Sequence, residues 1–174
     1  EIGDDIRSIQ QDKKGNIWLS TFVNGLLAIV KPEHADDFLK VKSQPEKYNG
    51  YFIYSFTTDD GLPAVKGNQV VQTDSGMLFL TFQGFMKFDG KNGRFRNFNM
   101  FSQKVFNGNY QVYEYVKTGE DQYWLGLADQ DRGYVFHING HSSEFFERLK
   151  NYYALDIRCD LRGYIYLAVD EGLL

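Results

Sequence analysis

Two acidic pairs, Asp59-Asp60 and Asp170-Glu171, have the residue types glycoside hydrolysis requires, a proton donor beside a base or nucleophile. Adjacent carboxylates in a connecting segment are ordinarily solvated, and that reading is favoured here. His34, His137 and His141 share no metal-ligand spacing, because the i, i+4 pair His137 and His141 straddles the turn signal Asn139-Gly140. Cys159 is the single cysteine, which excludes an intrachain disulfide and a cysteine-based zinc cluster; in an apolar stretch it reads as a buried thiol. Trp18 and Trp124 have rings on which a sugar could stack, but both stand inside apolar strands at matching positions, which reads as core. Asp12, Asp74 and Asp160 each precede a glycine and read as turn formers before metal ligands or acids. No phosphate-cradling glycine loop or nucleophile elbow occurs. No catalytic residue, metal ligand or cofactor is therefore assigned.

The elements around these residues recur. Asp12-Lys-Lys-Gly-Asn-Ile-Trp-Leu-Ser-Thr21 followed by Gly25-Leu26 reads as strand, tight turn, strand, turn, strand. Thr73-Asp-Ser-Gly-Met-Leu-Phe-Leu-Thr81 with Gly84-Phe85 repeats it. So do Thr118-Gly-Glu-Asp-Gln-Tyr-Trp-Leu-Gly126 with Gly133-Tyr134, and Cys159-Asp-Leu-Arg-Gly-Tyr-Ile-Tyr-Leu-Ala168 with Gly172-Leu173. The aligned aromatic residues Trp18, Phe79, Trp124 and Tyr166 return every forty to sixty residues or so, and four short β-like segments per repeat are the mark of propeller blades. The expected architecture is an all-β propeller segment: three four-stranded antiparallel blades over residues 5–58, 68–99 and 110–149, and a partial fourth over 154–174. Residues 31–50 read as an insertion in the first blade, with a short helix from Pro32 to Lys40 that Pro45 and Asn49-Gly50 break off. A β-sandwich also has short strands but does not explain the repeat. Runs such as Tyr164-Ile-Tyr-Leu-Ala-Val169 do not alternate with polar residues, as expected of a sheet covered on both faces.

With 43% hydrophobic and 17% aromatic residues, the 174-residue chain has the material for a sizeable core and is not a disordered segment. The net charge of −4 and the lack of a basic tract argue against a nucleic-acid footprint. No apolar run is long enough to span a bilayer as a helix. The fourth repeat stops at Leu174, in or before its third strand. The chain is thus expected to be a piece of a larger ring, with the outer faces of the first and fourth blades covered there by neighbouring blades of the same protein.

The repeat resembles the two-component regulator propeller family, in which an isoleucine-rich strand precedes Asp-x-x-Gly-x-[Ile/Leu]-Trp-[Ile/Leu/Val]-Gly-Thr and then Gly-Leu. Ile6-Arg-Ser-Ile9, Asp12, Gly15, Ile17-Trp18, Thr21 and Gly25-Leu26 fit, with Ser20 in place of the usual glycine. Phe56-Thr-Thr-Asp-Asp-Gly-Leu-Pro63 resembles the family's connector. The second repeat keeps Asp74, Gly76 and Thr81 but has Phe79 for tryptophan and a shorter Asp–Gly gap. The third has Trp124-Leu-Gly126 without the leading Asp, and the fourth has Asp160, Gly163 and Ile165 with Tyr166 for tryptophan. The sialidase-type box, Ser-x-Asp-x-Gly-x-x-Trp, has a gap one residue shorter than that of Asp12 and Gly15. The resemblance implies the periplasmic, extracytoplasmic sensor part of a bacterial hybrid histidine kinase, one of many that control polysaccharide use. It also implies a homodimeric parent, a non-catalytic role for this segment, and no cofactor.

In four-stranded blades the loops between second and third strands share a rim with the connectors between blades, and propeller ligands usually sit on such a rim. That rim collects Asn24, Gln83, Asp131 and Arg132 from the loops and Asn109, Tyr152 and Tyr153 from the connectors. Amides, a guanidinium, a carboxylate and tyrosines suit an oligosaccharide or another polar small ligand. The rivals are a carbohydrate-active propeller enzyme, hydrolase or lyase, and a protein-interaction propeller.

Overall fold

The computed structural model describes residues 5–39, 42, 44–102, 110–129, 132–145, 154–169 and 172–173. The chain divides into an N-terminal unit, Glu1–Phe98, and a C-terminal unit, Asn99–Leu174.

The N-terminal unit holds two antiparallel sheets. The first is built from β1 (Ile6–Gln11), β2 (Ile17–Thr21), β3 (Leu26–Val30), β4 (Glu46–Tyr48) and β5 (Tyr51–Phe56), in the order β1-β2-β3-β5-β4. The second is the meander β6 (Gln69–Thr73), β7 (Gly76–Thr81), β8 (Gly84–Asp89) and β9 (Arg94–Asn97). The first sheet has five strands where four are expected from the sequence. The extra strand comes from the insertion: Tyr48 pairs with Tyr51 across Asn49-Gly50, whose φ angles are 47° and 83°. Two successive positive φ values make a two-residue hairpin turn of the kind Asn-Gly favours. This dipeptide therefore reverses the chain into a strand rather than merely ending the preceding helix. The helix itself is a 3₁₀ turn, Pro32–His34, running into α1, Ala35–Leu39.

Both faces of β2 are covered, since the successive residues Trp18 and Leu19 are both buried. The Trp18 ring lies 5.1 Å from Phe79 and 5.4 Å from Phe88 of the second sheet. It lies 5.5 Å from Phe56 and 5.9 Å from Phe38 of its own sheet and insertion. Aromatic centroids at such separations add attraction beyond area burial. A polar link joins the same sheets through β1 and β6: Ser8 and Ser20 hydroxyls are 2.7 Å apart, and the Val70 N–H donates to Ser8 Oγ at 2.8 Å. Ser20, where the family pattern has glycine, is fully buried and satisfied by Ser8.

The C-terminal unit also holds two sheets. One is β10 (Gln111–Gly119), β11 (Gln122–Ala128), β12 (Gly133–Asn139) and β13 (Ser142–Phe145); the other is β14 (Ala154–Cys159), β15 (Ile165–Val169) and β16 (Gly172–Leu173). Val135, Ile157 and Leu167 form one buried cluster of its core, with Val116, Trp124 and Ile165 packed on them. Trp124 is half-buried, less enclosed than Trp18, and stacks on His137 at 4.4 Å. In the run from Tyr164 to Val169, Leu167 is buried, while Tyr164 and Tyr166 are not covered by residues of this chain. The β12–β13 turn falls on Gly140-His141, one residue later than the Asn139-Gly140 signal, with Gly140 at φ 61° and Asn139 already paired to Ser142.

The leading strand of three sheets carries a register shift at the same place. Ile6 pairs with Thr21 but Ser8 with Ser20; Val112 with Leu127 but Glu114 with Gly126; Ala154 with Val169 but Asp156 with Ala168. A β-bulge inserts one residue and increases local twist. The residue after each bulge is polar: Ser8, Glu114 or Asp156. Gly126 makes room for one of them, since a Cβ there would lie 2.8 Å from both Glu114 Cβ and Tyr113 Cε2.

Candidate functional site

Asp12 opens the β1–β2 turn and organises it. Its Oδ1 accepts the backbone N–H groups of Lys14 and Asn16, each at 2.9 Å. Its Oδ2 accepts Asn16 Nδ2 at 3.0 Å and the Trp18 indole N–H at 3.3 Å. One carboxylate thus closes the turn and orients the ring that leads into the core. Asn16 is 1% exposed, and its Oδ1 is buried with no hydrogen-bond partner among the described residues. Flipping the amide would turn that oxygen towards the Asp12 carboxylate, so the orphan atom is the acceptor.

Asp12, Lys14 and Asn16 form one wall of an open cavity of about 870 Å³. The second sheet supplies the facing wall: Ser75 from the β6–β7 turn, Lys87 and Phe88 from β8, and Asp89, Gly90 and Lys91 at the β8–β9 turn. Trp18, Phe38, Met77 and Phe79 complete an apolar floor. A mostly apolar concavity of this size with a few polar groups is the usual form of a small-molecule site. Lys87 Nζ donates to the Ser75 carbonyl at 3.1 Å and lies 3.8 Å over the Phe98 ring. Asp89 Oδ2 accepts Asn92 Nδ2 at 2.6 Å and its Oδ1 accepts the Lys91 N–H at 3.0 Å. The Asn92 amide foremost, then the Lys91 N–H and the Arg96 guanidinium, hold the Asp89 carboxyl below the usual carboxylate range. Both acids at the mouth, Asp12 and Asp89, are therefore engaged by donors of their own turns.

Of the residues expected on the connector rim, Asn24, Gln83 and Arg132 are described, and none of them lines the cavity. Asn24 is in the β2–β3 turn and Gln83 in the β7–β8 turn, at the end of the sheets opposite to the β1–β2 and β8–β9 turns. Both are exposed and neither lines the cavity. Their backbone N–H groups donate to Thr21 Oγ1 at 2.9 Å and Thr81 Oγ1 at 3.1 Å, and these hydroxyls donate to the Gly25 and Gly84 carbonyls at 3.2 and 3.0 Å. The Thr–Gly part of the repeat is thus a hairpin lock that leaves the turn tip exposed. In the C-terminal unit, Arg132 is exposed in the β11–β12 turn and its N–H donates to Asp129 Oδ1 at 2.9 Å. Asp129 Oδ2 accepts the Tyr134 hydroxyl at 2.6 Å and raises the pKa of that phenol. Asn109, Asp131, Tyr152 and Tyr153 lie outside the described residues, as do Asp170 and Glu171.

Among the remaining sequence candidates, Asp60, His137 and Cys159 each make a local contact. Asp60 accepts Lys42 Nζ on its two oxygens at 2.7 and 2.6 Å and the Thr57 N–H at 2.8 Å, completing the cap of the 3₁₀ turn Thr58–Asp60. His137 Nδ1 lies 3.4 Å from Glu144 Oε1 in a pocket of about 150 Å³. Cys159 is half-buried, more accessible than the sequence suggests, with Sγ 3.4 Å from the Asp160 carbonyl. Among the described residues no three His, Cys, Asp or Glu side chains come together as a metal site. Among the described residues Glu114 carries a large electrostatic perturbation. Burial above all, and then the Asp156 carboxylate, push it up to about 7 against the opposing Tyr115 N–H and Arg158. Asp156 Oδ2 accepts Arg158 Nε at 3.0 Å, while its Oδ1 is buried without a partner among the described residues.

The sequence reading missed the cavity, and with it Lys14, Lys87 and Lys91. The available signal was basic residues in the Asp-Lys-Lys-Gly and Asp-Gly-Lys turns, which antiparallel topology carries to the same end of adjacent sheets.

Residues 1–22 match the two component regulator propeller family. No curated protein matches the chain in sequence. Among solved structures, the chain is similar to the extracellular domain of a one component system from B. thetaiotaomicron (TM-score 0.61, 20% identity, 97% of this chain and 20% of that one). A second structure of that domain, there described as part of a hybrid two component system, gives TM-score 0.58 at 19% identity over 97% of this chain and 20% of that one. Virginiamycin B lyase from Staphylococcus aureus gives TM-score 0.53 at 13% identity over 98% of this chain and 55% of that one. The chain spans about a fifth of the length of the first two. These likenesses establish the fold, an all-β array of antiparallel sheets of propeller type.

Proposed function

We propose that this chain is part of the ligand-sensing propeller of a bacterial extracytoplasmic sensor, in a homodimeric periplasmic assembly. It binds a polar ligand, an oligosaccharide first among the candidates, and relays binding by altered packing rather than by chemistry. The carrying observation is the Asp12–Trp18 turn itself: it lies in the stretch matching the two component regulator propeller family, and its Asp12 carboxylate holds both the turn and the Trp18 indole. The sensor descriptions of two structurally similar proteins support the same reading. So does the engagement of Asp12 and Asp60 in structural bonds, which leaves them poorly suited to acid or base work. Relay follows from any ligand that binds one packing arrangement more tightly than another.

The ligand is assigned to the connector rim: Asn24, Gln83, Arg132, Asp131, Asn109, Tyr152 and Tyr153. Calorimetry on the full-length protein with neutral and acidic oligosaccharides tests it. Arg132→Ala, Tyr152→Ala and Tyr153→Ala should each weaken binding and leave the unfolding midpoint nearly unchanged. Identical binding by all three variants would retire the rim.

A further inference from the structure

We propose that the cavity of the N-terminal unit is a second binding site, for an amphipathic organic anion: a flat apolar body bearing a carboxylate or sulfate and one hydrogen-bond donor. It lies at the end of the sheets opposite the rim turns of Asn24 and Gln83.

Each part of that ligand follows from a group on the wall. The floor meets an apolar body through Met77 and Phe88, its partly exposed members, with Trp18, Phe38 and Phe79 buried behind them. Lys14, Lys87 and Lys91 arrive from the β1–β2 turn, from β8 and from the β8–β9 turn, so three cations from separate segments border one concavity. The two carboxylates beside them, Asp12 and Asp89, are each turned to donors of their own turns, and three ammonium groups outnumber them at the mouth. An arriving anion would gain charge-assisted hydrogen bonds from the ammonium groups. The donor requirement comes from Asn16. It lines the cavity, is 1% exposed, and keeps its Oδ1 without a partner among the described residues. Buried acceptors are nearly always paired, and an unpaired one bordering a cavity calls for a donor from the occupant.

A neutral sugar fits less well. It offers no charge to the Lys14, Lys87 and Lys91 ammonium groups. A nucleic-acid backbone is disfavoured by the chain's net charge of −4 and by the apolar floor.

Indole-3-acetate carries all three features and is the probe; indole-3-acetamide lacks the charge and 1-methylindole-3-acetate lacks the donor. Calorimetry on the full-length protein should show saturable binding of the acid, roughly tenfold tighter than the amide. Binding of the N-methyl acid should be weaker by about fivefold. The double variant Lys14→Gln/Lys91→Gln should weaken the acid roughly tenfold and leave the amide unchanged. Should the double variant fail to fold, Lys91→Gln alone, in an exposed turn, and a salt titration replace it: added salt should weaken the acid and spare the amide. Equal binding of acid and amide, unchanged binding by the lysine variants, or no saturable heat from the acid at millimolar concentration would each overturn the proposal. Oligosaccharide binding at the rim should be indifferent to Lys91→Gln, so the two sites fail or stand separately.

Discussion

Trp18 donates its indole N–H to Asp12 Oδ2 at 3.3 Å, across six positions of the chain. The fourth repeat makes the same bond with different chemistry: the Tyr166 hydroxyl donates to Asp160 Oδ2 at 3.3 Å, again six positions away. Asp160 Oδ1 accepts the Arg162 and Tyr164 N–H groups at 2.8 and 2.9 Å, as Asp12 Oδ1 accepts those of Lys14 and Asn16. The repeat is therefore a clamp in which a carboxylate closes a turn and fixes the aromatic ring of the next strand. Phe79 has no polar tip, and its turn is shorter: Thr73 pairs with Gly76 directly, with Thr73 Oγ1 on the Gly76 carbonyl at 2.8 Å.

Trp18→Ala should lower stability by about 3–5 kcal/mol, as expected for deleting a buried large aromatic. Trp124→Ala should cost less, about 1–3 kcal/mol, since that ring is half-buried. Urea unfolding of the full-length protein measures both through the midpoint at constant slope. An unchanged midpoint for Trp18→Ala would place the ring outside the core.

Asp12→Ala should cost roughly 1–3 kcal/mol, because it strips the acceptor from the buried Asn16 amide and the Trp18 N–H together. Asp160→Ala should cost less, since its bonds go to the Arg162 and Tyr164 N–H groups and the Tyr166 hydroxyl, with no counterpart of the buried Asn16 amide. Thermal unfolding of the two variants side by side gives the comparison, and a reversed order would contradict the clamp.

The fold was legible where one residue type has one physical reason to be there. Aspartate and glycine three residues apart announce a turn, and recurring aromatic residues announce stacked sheets. The fifth strand was missed because Asn49-Gly50 follows a helical stretch and was read as its end, not as a hairpin. The bulges were invisible because a single extra residue leaves no trace in a short alternating run. Ser8, Glu114 and Asp156 share a register that only the pairing reveals. The cavity was hidden for a related reason: Lys14 and Lys91 are ordinary turn residues until two sheets bring their turns to one end.

Gly25→Ala should be severely destabilising. Its φ is 82°, and an added Cβ would lie 2.1 Å from the Phe56 carbonyl oxygen, a backbone atom that cannot move aside. Gly50 has nearly the same φ, 83°, with nothing within 4 Å, so Gly50→Ala should cost only about 1–2 kcal/mol of left-handed strain. Unfolding midpoints should separate the two clearly; equal losses would mean that the close approach to Phe56 is absent.

Glu114 makes stability depend on pH. Its carboxyl sits at about 7 in the folded protein against an ordinary 4.5, so between these values the folded state holds a proton that the unfolded state has lost. Stability should therefore fall as pH rises from about 4.5 and level off above about 7, by up to roughly 3 kcal/mol. Glu114→Gln, which stays neutral, should flatten that slope. Denaturant melts across this pH range check it, and an identical slope in the variant would remove Glu114 as its source.

The most direct test of the proposed sensing role, in the hybrid histidine kinase that the repeat's resemblance implies, uses the full-length protein in membrane vesicles with labelled ATP. A glycan that binds by calorimetry should change the rate of phosphoryl transfer while emerging uncleaved. A bound glycan that is hydrolysed, or that leaves phosphoryl transfer unchanged, would contradict the account.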